Sequence, residues 1–117
     1  TAEHNTDTGE SIVLYIGVQE GDAEDYPDCR PEFIELAKKT VNHATEQHSI
    51  EIKAPIIDKD KPEVLELGQK LGVDWNLTFS CYNDEGGKAC GECPACIERK
   101  NAFEEVTFED PLQYREK

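Results

Sequence analysis

Methionine is missing from all 117 positions, so Thr1 does not read as a natural start and the chain is expected to begin at a cut. Positive charge is scarce as well: 12 lysines and arginines stand against 26 acidic side chains, for a net charge of -14. A surface of that sign repels phosphate backbones and anionic lipid, which argues against free nucleic acid and membranes as partners. No apolar run approaches the roughly 18 residues that a membrane span needs. No basic-then-apolar leader precedes Ser11. The cysteine count, five, is odd, and suits a reducing compartment better than a disulfide framework. These shortages predict a soluble, cytoplasmic chain, and its length allows one small domain.

What is present has a clear order. Residues 1–10 are polar and aperiodic and read as a loop. Ser11 to Val18 is a nearly continuous apolar, β-branched run, the pattern of a strand buried on both faces of a parallel sheet. Residues 19–30 read as a polar loop. From Pro31, the apolar residues Phe33, Ile34, Ala37, Val41 and Ala44 recur at helical steps, predicting a helix to about Gln47. Ile50 to Ile57 reads as a second strand interrupted by Pro55. Asp58 or Asp60 could cap the next helix, whose predicted buried face is Val64, Leu65, Leu67 and Leu71, with Gly72 at its left-handed end. A last helix is expected from about Pro94 to Glu105. The fold class is therefore α/β with parallel strands. Residues 11–75 form the α/β part and 76–117 a metal-binding segment. Two such strands cannot bury both faces, so the sheet is expected to continue in further polypeptide.

Four of the five cysteines, Cys81, Cys90, Cys93 and Cys96, read C-x8-C-x2-C-x2-C. Two overlapping C-x2-C steps aim successive thiolates at one point, and the longer arm returns Cys81 to complete a tetrahedron. A structural zinc ion about 2.3 Å from each sulfur fits that convergence. An iron–sulfur cluster and a redox dithiol are the alternatives. Gly91 and the helix start after Cys93 offer N–H groups to the thiolates, and Lys88, Arg99 and Lys100 could offset the negative charge.

A second concentration of chemistry is Tyr26-Pro27-Asp28-Cys29-Arg30-Pro31-Glu32-Phe33. Its prolines restrict the backbone, so Asp28 and Arg30 could be held in fixed directions at the carboxyl end of a parallel strand, where open α/β sheets bind ligands. Asp28 could accept from a guanine-like amide edge and Arg30 could fork onto a carboxylate or phosphate. The simpler reading makes Asp28 the helix cap and Arg30 a solvated side chain. Cys29 alone reads as a small buried residue rather than a nucleophile, and His43 and His48 as solvated. Lys61 could reach a phosphate, or be held in ion pairs by Asp58, Asp60 and Glu63.

Together YPDCRPEF (26–33), KPEVLELGQKLGV (61–73) and SCYNDEGGKACGECPAC (80–96) resemble the QueC family of 7-cyano-7-deazaguanine synthases, over residues 11 to about 110. The resemblance implies an adenine nucleotide alpha hydrolase-like (ATP pyrophosphatase) fold. It implies an ATP-dependent ligase acting on 7-carboxy-7-deazaguanine and ammonia in the route to queuosine and archaeosine, with Mg2+ accompanying ATP and a homodimeric assembly. By the same resemblance, Cys81, Cys90, Cys93 and Cys96 are the zinc ligands, Asp28 and Arg30 lie near the deazapurine, and Lys61 is a nucleotide-binding lysine. The family's Ser-Gly-Gly-x-Asp-Ser phosphate loop has no counterpart here. The chain is therefore expected to be the C-terminal half of such a synthase and inactive alone.

Overall fold

A computed structural model of the chain describes residues 11–45 and 49–116. The N-terminal stretch read as a loop, and His48, lie outside the described residues. The rest forms two compact units, one running to Lys59 and the other beginning at Asp60.

The first unit holds strands β1 (Ser11–Tyr15) and β2 (Ser49–Lys53), with helices α1 (Asp22–Asp25) and α2 (Pro31–Ala44) between them. The strands pair in parallel, Ser11 opposite Ser49 and Tyr15 opposite Lys53. Ile12, Val18, Ile34 and Ile50 are its buried apolar residues. The apolar run from Ser11 is thus a shorter strand than expected and is not buried on both faces: Val13, Leu14 and Tyr15 are exposed. Among the described residues its only strand neighbour is β2, so one pairing and one helical layer are all that is available to cover it.

The stretch 19–30, expected as a loop, contains α1 and a 3-10 turn at Pro27–Cys29. Asp22 organises it by accepting from the Gln19 backbone N–H at 3.0 Å and from the Gln19 side-chain amide at 3.2 Å. Such side-chain-to-backbone bonds fold short polar segments that have no apolar period to reveal them. On α2, Ile34 is buried and Ala37 and Val41 are half-buried, whereas Phe33 and Ala44 are exposed.

Asn42 on α2 fastens the start of β2. Its amide donates to the Ile50 carbonyl at 2.6 Å, and its oxygen accepts from the Ile50 N–H at 2.8 Å. A side-chain amide here takes the place of a neighbouring strand. Replacing Asn42 with alanine leaves both backbone groups without that partner, and each typically contributes about 0.5–1.5 kcal/mol. We expect Asn42→Ala to lower unfolding stability by about 1–3 kcal/mol, read by urea titration.

The second unit holds α3 (Lys61–Lys70), a 3-10 turn at Trp75–Leu77 and α4 (Pro94–Glu105). Asp60 rather than Asp58 caps α3, accepting from the Glu63 N–H at 2.9 Å while the Glu63 carboxylate takes the Asp60 N–H at 3.3 Å. Gly72 ends the segment with φ 79°, in the left-handed region as expected. Leu65 is buried on α3, but Leu71, placed on the buried face by its spacing, is 75% exposed. The chain turns away there, and Trp75 fills the space over Gly68 instead.

Trp75, Phe103 and Phe108 form a triangle with all ring centroids 5.8 Å apart, packed with Leu65, Ala102 and Val106. A methyl group on Gly68 would drive into the Trp75 ring. In an open helix, Gly→Ala stabilises by about 1 kcal/mol, but overpacking a filled site costs about 1–3 kcal/mol. Gly68→Ala is therefore expected to lower the melting temperature and shift Trp75 fluorescence; a higher melting temperature would refute the packing account.

Candidate metal centre

Cys90-Gly91-Glu92-Cys93 makes a tight turn in which Gly91 adopts φ 76°. That left-handed conformation costs glycine little and other residues more. Cys93 is the N-cap of α4, and Cys96 lies on its first turn. Cys81 enters from the other side of the loop. The four sulfurs lie within 4.8 Å of one another, and Cys81, Cys90 and Cys96 are buried.

Backbone N–H groups point at these sulfurs. Cys81 Sγ accepts from Asn83 at 3.2 Å and from Cys90 at 3.3 Å; Cys90 Sγ accepts from Glu92 at 3.4 Å and from Cys93 at 3.3 Å. Those last two donors bring the Cys90 thiol down to about 6. Backbone hydrogen bonds from Tyr82 and Cys96 lower Cys93 as well. Burial, by contrast, pushes Cys96 up to about 12. The turn amides thus favour negative charge at Cys90 and Cys93, while burial opposes it at Cys96.

The donor chemistry fits a single ion. A tetrahedron of sulfurs about 2.3 Å from zinc has edges of about 3.8 Å, and Cys90 Sγ and Cys96 Sγ stand 3.9 Å apart. That separation is far too long for a disulfide, whose sulfurs are about 2.0 Å apart, and all five cysteines are free.

The charges around the cluster are used differently from the sequence expectation. Arg99 is buried and paired with Asp110 at 2.7 Å, so its charge is compensated locally. Lys100 donates to the Gly91 carbonyl at 3.0 Å and lies 4.4 Å over the Tyr114 ring. A cation not anticipated, Arg115, bonds Glu85 at 2.8 Å and also interacts with Cys90. Residues 113–115 pair with Ala89, whose N–H donates to the Gln113 carbonyl at 3.0 Å. The segment after α4 therefore straps the cysteine loop in place. Asp110 and Tyr114 had no spacing to mark them; the one available hint was Arg99, three positions after Cys96 on the same helix.

The remaining candidates are placed as follows. Asp28 sits exposed in the 3-10 turn of the first unit, and it does not cap α2: the N-cap is Arg30, with no side-chain cap bond. Arg30 is exposed but held, its Nε donating to the Ala23 carbonyl at 3.1 Å. Lys61, in the second unit, is half-buried and pairs with Glu98 at 3.4 Å rather than with Asp58, Asp60 or Glu63. The capping box occupies Asp60 and Glu63, which leaves Glu98 on α4 as its partner. Cys29 is half-buried and His43 exposed.

A family model described as "Queuosine biosynthesis protein QueC" matches residues 3–107. The 7-cyano-7-deazaguanine synthase of Coxiella burnetii (strain RSA 493 / Nine Mile phase I) is 47% identical over 110 residues, covering 90% of this chain and 48% of that protein. The synthase of Caldicellulosiruptor saccharolyticus is 45% identical over 101 residues, 86% of this chain and 44% of the relative. That of Trichormus variabilis is 47% identical over 105 residues, 86% and 46% respectively. The chain thus spans a little under half the length of these relatives. Among the described residues, no helix is long and apolar enough to cross a membrane. With the cysteine loop, its preceding turn and helices α2, α3 and α4 all inside the matched region, this chain belongs to the QueC family.

Proposed function

We propose that this chain is the zinc-bearing, C-terminal part of a cytoplasmic 7-cyano-7-deazaguanine synthase with the nucleotide alpha hydrolase-like fold of ATP pyrophosphatases. The whole enzyme adenylates the carboxylate of 7-carboxy-7-deazaguanine with ATP and Mg2+, and ammonia displaces AMP to give an amide. A second activation of the amide leads to the nitrile. The observation that carries this reading is the convergence of four cysteine sulfurs inside a region matched by the family model.

Zinc, held by Cys81, Cys90, Cys93 and Cys96, supplies cross-linking rather than reaction chemistry, since four thiolates leave no open position for water. Asp28 and Arg30 are assigned to the deazapurine, and the bond from Arg30 to the Ala23 carbonyl supports a guanidinium held in one direction. Lys61 is assigned to ATP phosphate, for which it exchanges its contact with Glu98. Catalysis belongs mainly to alignment and charge stabilisation, with the phosphate loop supplied by the upstream half and assembly as a homodimer.

The test uses the full-length gene product with 7-carboxy-7-deazaguanine, ATP, Mg2+ and ammonium. Mass spectrometry should show the nitrile, with AMP and pyrophosphate formed, and elemental analysis about one zinc per chain. The 117-residue chain alone should give no product. A zinc-loaded full-length protein that neither binds the deazaguanine nor forms AMP would leave a non-catalytic zinc module; a brown, iron-containing protein would replace the metal assignment.

A further inference from the structure

Three of the four sulfurs are placed by local chain geometry alone. Cys90 and Cys93 share one tight turn, and Cys93 and Cys96 share the first turn of α4. Cys81 sits on a longer loop: its Sγ accepts from the Asn83 and Cys90 N–H groups, and Glu85 pairs with Lys88 across the loop. No helix holds the chain that enters it from Thr78. The eight residues between Cys81 and Cys90 are exposed from Tyr82 to Lys88, with only Ala89 buried. The chain before Cys81 contains a single 3-10 turn between the end of α3 and the loop.

Arg115 holds the loop after Cys81 through Glu85 and the Asn83 carbonyl, whereas the chain before Cys81 is tied by Arg99, which lies one turn beyond Cys96 on α4 and is 3% exposed. Its NH1 donates to Ser80 Oγ at 3.2 Å and its NH2 to Thr78 Oγ1 at 3.1 Å, the residues one and three positions before Cys81. The other side of the guanidinium is taken by Asp110: Nε donates at 2.9 Å and 3.1 Å, and NH2 at 2.7 Å. Asp110 is held in turn by the Tyr114 hydroxyl at 2.7 Å and the Leu112 N–H at 3.0 Å. A guanidinium is planar, so fixing one edge on a carboxylate fixes where its remaining N–H groups point. Here they point at the Cys81 arm.

Resting on the metal reading above, we propose that Arg99, anchored by Asp110 and Tyr114, is the positioning residue that delivers Cys81 to the four-sulfur set. It joins the helix that carries Cys96 to the segment that carries Cys81. The strap after α4 thereby becomes part of the metal site without contributing a ligand. A lysine at this position cannot serve, because one ammonium does not span the carboxylate and both hydroxyls with a fixed fork.

Cobalt(II) titration of the full chain tests this, since thiolate-to-cobalt charge-transfer absorption scales with the number of sulfurs bound. The unaltered chain should give the four-thiolate spectrum and Cys81→Ser a three-thiolate one. The Thr78→Val/Ser80→Ala double variant removes the tie while keeping the Arg99–Asp110 pair. It should move toward the Cys81→Ser spectrum, with cobalt affinity reduced roughly ten- to a hundredfold. Arg99→Lys should behave alike. A purely structural role would lower the melting temperature but leave the spectrum per bound cobalt and the affinity unchanged, and that result would overturn the proposal. If the unaltered chain shows no thiolate bands, the metal reading itself falls and the positioning role falls with it.

Discussion

With zinc held as proposed, stripping the metal from this chain, or replacing Cys96 with serine, is expected to unfold the second unit. Its apolar cores are small: one is the cysteine cluster with Ala89, the other Leu65, Ala102 and Phe103 with flanking aromatics. A unit of this size is only marginally stable from apolar burial alone. Structural zinc supplies on the order of 10 kcal/mol of apparent binding energy, comparable to the entire stability of an ordinary domain, about 5–15 kcal/mol. Without the cation, Cys96 is a buried thiol that resists ionisation, while Cys90 and Cys93 retain amide donors aimed at charge. The only tryptophan of the chain, Trp75, sits in the second unit's aromatic core and reports directly on it. Chelation should therefore red-shift its emission and reduce the helical circular dichroism. Cys29→Ser, outside the cluster, should leave both unchanged. Retention of the folded Trp75 signal after metal removal, verified by elemental analysis, would reject the structural role.

Asp110→Ala should be the most damaging substitution away from the sulfurs, at about 3–5 kcal/mol. The side chains of Arg99 and Asp110 are only 4% and 11% exposed, so removing the carboxylate strands a buried guanidinium. The Arg99 stack on Phe103, 5.2 Å from its centroid, couples that loss to the aromatic core. Asp110→Asn keeps the shape and some hydrogen bonds and should cost less. The pair also sets a pH dependence. Burial by itself would raise the Asp110 carboxyl, but hydrogen bonds from Arg99, Tyr114 and the Leu112 N–H outweigh it and hold the group below the usual carboxylate range. A carboxyl lowered in the folded state stabilises fully above its unfolded value of about 3.9 and loses that contribution as pH falls through the folded value. Acid also protonates the thiolates, so the quantity to measure is the stability difference between the unaltered chain and Asp110→Asn. It should be constant from pH 7 to about 5 and shrink at lower pH. A difference that grew on acidification would contradict the assignment.

Legibility in the sequence followed local physics. The limits of α4 and the Gly72 terminus of α3 were readable because proline, glycine and capping residues act over one turn. The limits of burial were less readable. Leu71 has the right spacing for the buried face yet is exposed, because Trp75 closes over Gly68 and the chain departs before the next turn. The stretch 19–30 gave no apolar period, so its short helix and 3-10 turn depend on hydrogen bonds that only folded coordinates display. In the same way, α3 packs on α4 and belongs to the second unit, although its apolar spacing would serve equally well against the strands.

By itself, the sequence determined the family and which four cysteines come together. Cysteines at C-x8-C-x2-C-x2-C converge through two tight turns whose geometry is local, so spacing suffices to name them. Only the tertiary structure shows what holds the chain before Cys81 next to the helix that carries Cys96. Asp110 and Tyr114 lie eleven and fifteen positions beyond Arg99, while Thr78 and Ser80 lie twenty-one and nineteen before it. Contacts across such separations leave no periodic trace, because they depend on where the chain returns after each turn rather than on the repeat of any one helix or strand.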